Sequence, residues 1–290
     1  MKDVGGKPET LRTARASARL YVPAHCLELM RTGETEKGDP LATARIAGIL
    51  AAKRTDEILP LCHPLPLQRA DVRFELTSEA VDIRTEVETI GPTGVEMEAL
   101  TAAAVAGLTL YDMLKPYAEP PELTLTGIKL DEKTGGKSEY PRHLDSPVPA
   151  AVIELPGAEA GDAVAGALSA AGFGPLERIE PGGEGEALTA ALERRLAGGP
   201  GLIVTVGGTG PAGETAARVS PFLTTELPGL METARAFGQR RRPQAMLSQG
   251  VAGLAGESLI VTLPGDATGA DDSLAALLPG LVQLFAMRSG

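Results

Sequence analysis

Apolar and polar positions divide the chain into two rhythms. In the first half, Ala16, Ala18, Leu20 and Val22 alternate with polar residues, which predicts a strand. Asp39-Pro40 is a helix start, a capping residue followed by proline, and Leu41–Arg54 continues as a helix. Val72, Phe74 and Leu76 alternate, then Val81, Ile83, Thr85 and Val87, with Thr77–Ala80 as the link of a hairpin. Thr93–Lys115 has the helical period, with Met97, Leu100, Ala104, Leu108 and Tyr111 at steps of three and four. Its other faces carry Ala102, Ala103, Ala106, Gly107 and Leu110, so it reads as a core helix. Leu123, Leu125, Ile128 and Leu130 predict a last strand. This order predicts an α+β unit with a mostly antiparallel sheet.

Pro141–Pro149 holds three prolines and no period, so 142–149 is read as a linker between units 1–141 and 150–290. Beyond it, Ala151–Glu154, Gly201–Val206 and Ser258–Leu263 are short apolar runs of strand length. Asp162–Ala171, Ala187–Leu196 and Leu274–Met287 read as helices. Strand–helix alternation predicts an α/β unit with a parallel sheet.

Composition narrows the partners. A net charge of −11 argues against nucleic acid. No apolar stretch reads as long and charge-free enough to span a membrane. The start, MKDVGGKPET, lacks the apolar segment of a secretory signal, and two cysteines make no disulfide framework, so the cytoplasm is expected. All eight lysines lie at or before Lys137, several in Gly-rich contexts that suit an anion.

Charged groups of the central helix sit only at its ends: Glu96 and Glu98 at one, Asp112 and Lys115 at the other. Glu98 and Asp112 are 14 residues apart, about 21 Å at the helical rise. One small substrate cannot touch both, so the ligand is long, the ends serve different sites, or a second subunit brings them together; the plain alternative is a core helix with solvated ends. Lys37-Gly38-Asp39 stands at a helix mouth and suits an anion, with Asp39 read as the cap. His63, in Leu61-Cys62-His63-Pro64, is on a stiff extended segment and suits proton transfer or phosphate binding. Metal binding with the pair His25-Cys26 is its rival, but no zinc spacing appears and no metal is expected. Lys133-Thr134-Gly135-Gly136-Lys137-Ser138 is an anion loop or an exposed turn, and not a P-loop.

Taken together, KGDPLATARIAGILAAKRTDEILPLCHPLPL, GPTGVEMEALTAAAVAGLTLYDMLK and KTGGKS resemble the cyclic pyranopterin monophosphate synthases, the MoaC family of molybdenum-cofactor biosynthesis, over residues 1 to 140. The resemblance implies conversion of 3′,8-cyclo-7,8-dihydro-GTP to the cyclic pyranopterin phosphate with loss of pyrophosphate, and no organic cofactor. It also implies hexamers with active sites between subunits. It makes Lys37 and Lys115 catalytic, joined by Asp112 and His63, with Arg12, Cys62, Glu96, Glu98, Lys133 and Lys137 binding substrate. The family usually carries a further His-containing segment ahead of MKDVGGKPET, and often Gly where Glu139 stands.

GLIVTVGGTGPAG, TTELPGLMETAR, AMLSQGVAGLAG and SLIVTLPGD resemble the molybdopterin adenylyltransferases, the MoaB/MogA-like group, over residues 150 to 288. That group uses Mg-ATP on a Rossmann-like fold, often as trimers. The resemblance is frayed. No aspartate lies between Gly210 and Ser220, Gln249 replaces an arginine, Asp266-Ala267-Thr268 replaces Ser-Pro-Lys, and the Ser-Asp loop after the first strand is absent. Gly207, Gly208, Thr209 and Gly210 thus mark a degenerate second site, or simply a glycine turn closing a strand. The expected folds are ferredoxin-like α+β for the first unit and Rossmann-like α/β for the second. The expected function is the synthase, with Mg-ATP needed only if the second unit is active. The alternatives are a bifunctional enzyme and a non-catalytic pterin-binding scaffold. The expected partners are the GTP-derived pterin precursor and further copies of the chain, in a hexamer or trimer-based assembly.

Overall fold

The computed structural model describes residues 1–33, 35–136, 143–183 and 185–288. The chain forms two compact units, Met1–Glu139 and Tyr140–Gly290.

The first unit runs β1 (Thr10–Tyr21), α1 (Ala24–Thr32), α2 (Pro40–Lys53), the short α3 (Thr55–Ile58), β2 (Leu67–Leu76), β3 (Ala80–Gly91), α4 (Glu96–Leu114) and β4 (Thr124–Thr134). The sheet order is β2-β3-β1-β4 and every pairing is antiparallel. On β1 the even positions Ala14, Ala16, Ala18 and Leu20 point into the core, and Val81, Ile83, Thr85 and Val87 of β3 join them. The opposite face is polar, with Arg15 bridging Glu86 and Glu132 at 3.0 and 2.7 Å.

Helix α4 lies across the inner face, and small residues let it come close. A Cβ on Gly107 would stand 2.5 Å from Leu125 Cδ1, and one on Gly48 of α2 would stand 3.0 Å from the Ala102 carbonyl. The Thr85 hydroxyl donates to the Ala99 carbonyl at 2.8 Å, tying α4 to β3. These contacts select the face that the helical period alone left open. The buried face is Glu98, Ala99, Ala102, Ala103, Ala106, Gly107 and Leu110, while Met97 and Leu108 are 41% and 57% exposed. A helix apolar on nearly every side has a weak periodic signal, and close approach selects the alanine–glycine face rather than the bulkier one. Ile46 and Leu50 of α2 are exposed apolar residues as well.

The second unit runs β5 (Val148–Glu154), α5 (Gly161–Ala170), β6 (Phe173–Ile179), α6 (Glu186–Ala197), β7 (Leu202–Val206), α7 (Thr215–Val219), β8 (Thr225–Glu226), α8 (Pro228–Gly238), β9 (Ala252–Ala255), β10 (Ser258–Leu263) and α9 (Ala267–Arg288). The order is β6-β5-β7-β10-β9-β8. Alternate strand residues serve two cores. Val152, Val204 and Val261 pack with α5, α8 and α9; Ile153, Ile203 and Ile260 pack with α6 and α7. A sheet covered on both faces needs strands apolar at every position, which is why these runs show no alternation.

Three expectations are corrected. The sheet is mixed rather than parallel, because β9 pairs antiparallel with β10 and β8 antiparallel with β9. Val148 and Pro149 belong to β5 rather than to a linker, since Val148 already pairs with Phe173; residues 141 and 142 lie outside the described residues. Two segments, Glu96–Tyr117 and Ala267–Arg288, are long and apolar enough by length and composition to cross a membrane. Each is a core helix that buries one face in its own unit, which accounts for its apolar character.

Candidate functional site

The loop before α2 carries Lys37 to the C-terminal end of α4. Gly38 takes φ +93°, which only glycine adopts readily, and the Thr35 hydroxyl donates to its carbonyl at 2.6 Å. The Glu36 amide donates to the Tyr117 hydroxyl at 2.8 Å, pinning the loop beside the end of the helix. Asp39 is the cap expected of it, accepting from the Leu41 and Ala42 amides at 2.9 and 3.1 Å.

Lys37 then reaches Asp112. Its ammonium donates to Oδ2 at 2.7 Å and to the Asp112 carbonyl at 3.0 Å. Lys115, one turn on, stands 2.8 Å from Oδ1. One carboxylate thus holds two ammonium groups. Lys115 and then Lys37 hold the Asp112 carboxyl down at about 2, and Asp112 in turn raises Lys115 above its ordinary value. All three side chains are about half exposed. The cluster offers fixed positive charge and protons to give.

A second cluster forms at the other end of α4. Glu96 pairs with Lys133 of β4 at 3.1 Å. Glu98 is 4% exposed, and burial, reinforced by Glu96 and Asp56, pushes its carboxyl up to about 7 although a backbone hydrogen bond opposes this. Burial, then Glu98 and Asp56, pushes the Cys62 thiol up as well, so Cys62 sits within the field of Glu98. His63 is half-buried. Its segment is held at this end of the unit, because the Thr89 hydroxyl donates to the Pro66 carbonyl at 2.8 Å near the close of β3.

Arg12 is 9% exposed and lies against the Gly135-Gly136 turn. Both glycines have positive φ, and a Cβ on Gly136 would collide with the Arg12 guanidinium. Arg12 Nε has no hydrogen-bond partner among the described residues. The glycines of KTGGKS therefore make room for Arg12, a pairing that no spacing in the chain announces. Lys137 lies outside the described residues.

So the structure brings Lys37, Asp112 and Lys115 together at one end of α4. It gathers Arg12, Cys62, Glu96, Glu98 and Lys133 at the other. His25 and Cys26, offered as metal partners of His63, are both on α1. His25 Nε2 lies 2.5 Å from the Tyr117 carbonyl, and Cys26 is fully buried. Among the described residues no group of three or more His, Cys, Asp or Glu side chains is placed to hold a metal ion.

The second unit has its own cavity, of about 510 Å³, lined by Gly208, Thr209, Gly210, Arg235, Arg242, Ser248, Asp266 and Asp272 among others. Gly207 closes β7, and its amide donates to the Leu263 carbonyl at 2.9 Å. Gly207 and Gly208 take φ +111° and +63°. Gln249 fastens the turn, its amide bonded to the Thr209 carbonyl at 2.8 Å and its side chain to that of Pro211 at 3.0 Å. Glu214 pairs with Arg218 at 3.4 Å. Arg242, Asp266 and Asp272 were not singled out together by sequence. Their only signal is the arginine run 240–242 opposite two acidic stretches on the other side of β10.

The two units and their sites define a two-part protein, an antiparallel α+β unit with charged clusters at the two ends of its central helix followed by an α/β unit with a cavity at its glycine turn. Family models agree: the MoaC family matches residues 1–136, and a probable molybdopterin binding domain matches residues 158–283. The chain is 39% identical over 304 residues to a molybdenum cofactor biosynthesis bifunctional protein of Chlorobaculum tepidum, covering all of this chain and 95% of that one. It is 54% identical over 147 residues to a cyclic pyranopterin monophosphate synthase of Thermomicrobium roseum, across 50% of this chain and 87% of that one. A solved molybdopterin biosynthesis protein from Mycobacterium abscessus is also similar, with a TM-score of 0.44 at 30% identity over 49% of this chain and 96% of that one. The chain belongs to the MoaC family, in the form fused to a molybdopterin-binding-type domain.

Proposed function

We propose that the first unit is a cyclic pyranopterin monophosphate synthase acting on 3′,8-cyclo-7,8-dihydro-GTP. The observation that carries this is the clamp of Lys37 and Lys115 on Asp112. The reaction expels pyrophosphate as a substrate hydroxyl closes onto phosphorus. The hydroxyl proton leaves, an O–P bond forms, and the bond to the pyrophosphate oxygen breaks. Two ammonium groups fixed by one carboxylate neutralise charge that builds on the leaving group without having to reorganise. Arg12 and Lys133 supply positive charge for the triphosphate at the other end. Glu98, poised near neutrality, gives or takes a proton, and His63 is the second group suited to that work.

The two ends of α4 are too far apart to serve one substrate within one chain, so the working site is completed between copies. The exposed apolar residues Ile46, Leu50, Met97 and Leu108 support an assembly that covers them. The connectivity β1-helices-β2-β3-α4-β4, with order β2-β3-β1-β4, supports the ferredoxin-like reading. The step needs no organic cofactor, and the setting is the cytoplasm.

Replacing Lys37 or Lys115 by alanine is expected to lower turnover of the cyclic GTP derivative by about 10²-fold or more. Unchanged product formation by both variants would remove the assignment and favour a pterin-binding scaffold.

The second unit keeps the fold and has lost adenylyl transfer. Among the described residues Glu214, the nearest acid after the glycine turn, is engaged by Arg218, and Gln249 is committed to holding the turn. The rival reading, a bifunctional enzyme, is favoured by the name of the Chlorobaculum tepidum relative. Incubating the whole chain with molybdopterin and Mg-ATP decides between them: no adenylylated product is expected, and clear turnover means that both steps are active.

A further inference from the structure

Asp266 stands at the mouth of α9 and lines the cavity of the second unit. Its Oδ1 accepts from the Gly269 amide at 2.8 Å and from Arg242 at 2.7 Å. A backbone N–H at a helix N-terminus and a guanidinium are the partners that a phosphate oxygen takes. The helix behind them is 22 residues long. Burial pushes the Asp266 carboxyl up, but Arg242 and the Gly269 amide outweigh it and hold the group below its ordinary value. The chain thus presents its own anion where an outside anion would sit.

An independent feature of the same cavity points to a ligand. Asp272 is 5% exposed, and its Oδ2 has no hydrogen-bond partner among the described residues. Oδ1 is engaged by Arg241 at 2.6 Å, and Arg242 comes no nearer to Oδ2 than 4.0 Å. Arg242 Nε is likewise buried without a partner. An acceptor and a donor left unanswered around one cavity carry a desolvation cost that a ligand with both kinds of group relieves. A nitrogen heterocycle with ring N–H and carbonyl groups fits that pair, and the cavity volume suits a molecule of that size.

We propose that Asp266 is a built-in anion seated in the phosphate position of this cavity, so that a phosphate-bearing nitrogen heterocycle binds there only by displacing it. The proposal rests on the reading of the second unit as a ligand-binding fold that no longer transfers adenylate. In the wild-type chain, carboxylate and phosphate compete for Arg242 and the Gly269 amide, and their like charges exclude each other. Removing the carboxylate frees both donors at once.

Calorimetric titration of the full-length wild-type chain, Asp266→Ala, Asp266→Ser and Asp266→Ala/Arg242→Gln with inorganic phosphate and with guanosine monophosphate tests this. The first unit is identical in all four proteins, so differences report the second cavity. Both single variants are expected to gain a binding event about tenfold tighter than wild type, roughly one charge-assisted hydrogen bond regained. The double variant loses it, synthase turnover is unchanged throughout, and guanosine monophosphate binds more tightly than phosphate. Serine can still cap α9, so the result does not hinge on the alanine variant folding. Equal binding by wild type and both single variants overturns the proposal. Gain of phosphate without preference for the nucleotide overturns the heterocycle, leaving a seat for an adventitious ion only. Adenylyl transfer by the wild-type chain would instead defeat the reading on which the proposal rests.

Discussion

Glu98 and Asp112 are carboxylates of one helix pushed in opposite directions. Asp112 is in solvent with two ammonium partners, so it stays ionised down to about pH 2, and the Lys37–Asp112–Lys115 cluster is intact across the neutral range. Glu98 is buried, and that burial, with Glu96 and Asp56 adding to it, holds its proton up to about pH 7. Because the folded value lies above the unfolded one, the folded state binds this proton more tightly. The stability it contributes is complete below about pH 4.5 and is lost as pH rises through about 7. Glu98→Gln removes the ionisation while keeping the shape. The fall in urea midpoint between pH 5 and pH 8 is therefore expected to be smaller in this variant than in wild type. An identical fall in both proteins would show that Glu98 does not carry it.

Helix α4 shows how an element is read in part. Its length, its charged ends and the capping of its neighbour α2 follow from residue types and spacing. Its buried face does not, because alanine, leucine and methionine surround it. The sheet chooses the face by contact, through Gly107 against Leu125 and Ala99 against Thr85. Gly107→Ala places a methyl group 2.5 Å from the Leu125 side chain. A loss of about 1–3 kcal/mol from overpacking, less what alanine gains in helix propensity, is expected in urea unfolding. No loss would mean that α4 can lift from the sheet without penalty. The same limit of local reading applies to Gly135 and Gly136, whose purpose is visible only with Arg12 against them.

For the whole molecule, the separation of the two clusters is the governing fact. A site completed between copies predicts that the chain in solution has the mass of a trimer or a higher multiple. It also predicts that two inactive variants, Lys115→Ala and Arg12→Ala, regain activity when unfolded together and reassembled. A monomeric mass, or no regained turnover in a mixture shown to co-assemble, removes the shared site. The division into two units was legible from the change in rhythm near residue 145, since alternating strands and continuous apolar strands bury different numbers of sheet faces. The antiparallel edge β8-β9 was not legible, because short strands of two and four residues leave almost no pattern.

By itself the sequence did not determine α1, β6, α8 or the edge β8-β9. It did determine β1, α2, the β2–β3 hairpin, α4, β4, the apolar strands β5, β7 and β10 and the helices α5, α6 and α9, together with the order of the two units, the cap at Asp39 and the residue types available at each end of the central helix. These are local matters, set by period, backbone preference and capping within a few residues. Tertiary structure alone decided that Lys37 reaches Asp112 across 75 positions, that Arg12 occupies the space left by two glycines, and that Asp266 fills the seat beside Arg242. Ion pairs and close packing depend on distances of a few ångströms between chain segments remote in sequence, and only docking of loop on helix and helix on sheet sets them.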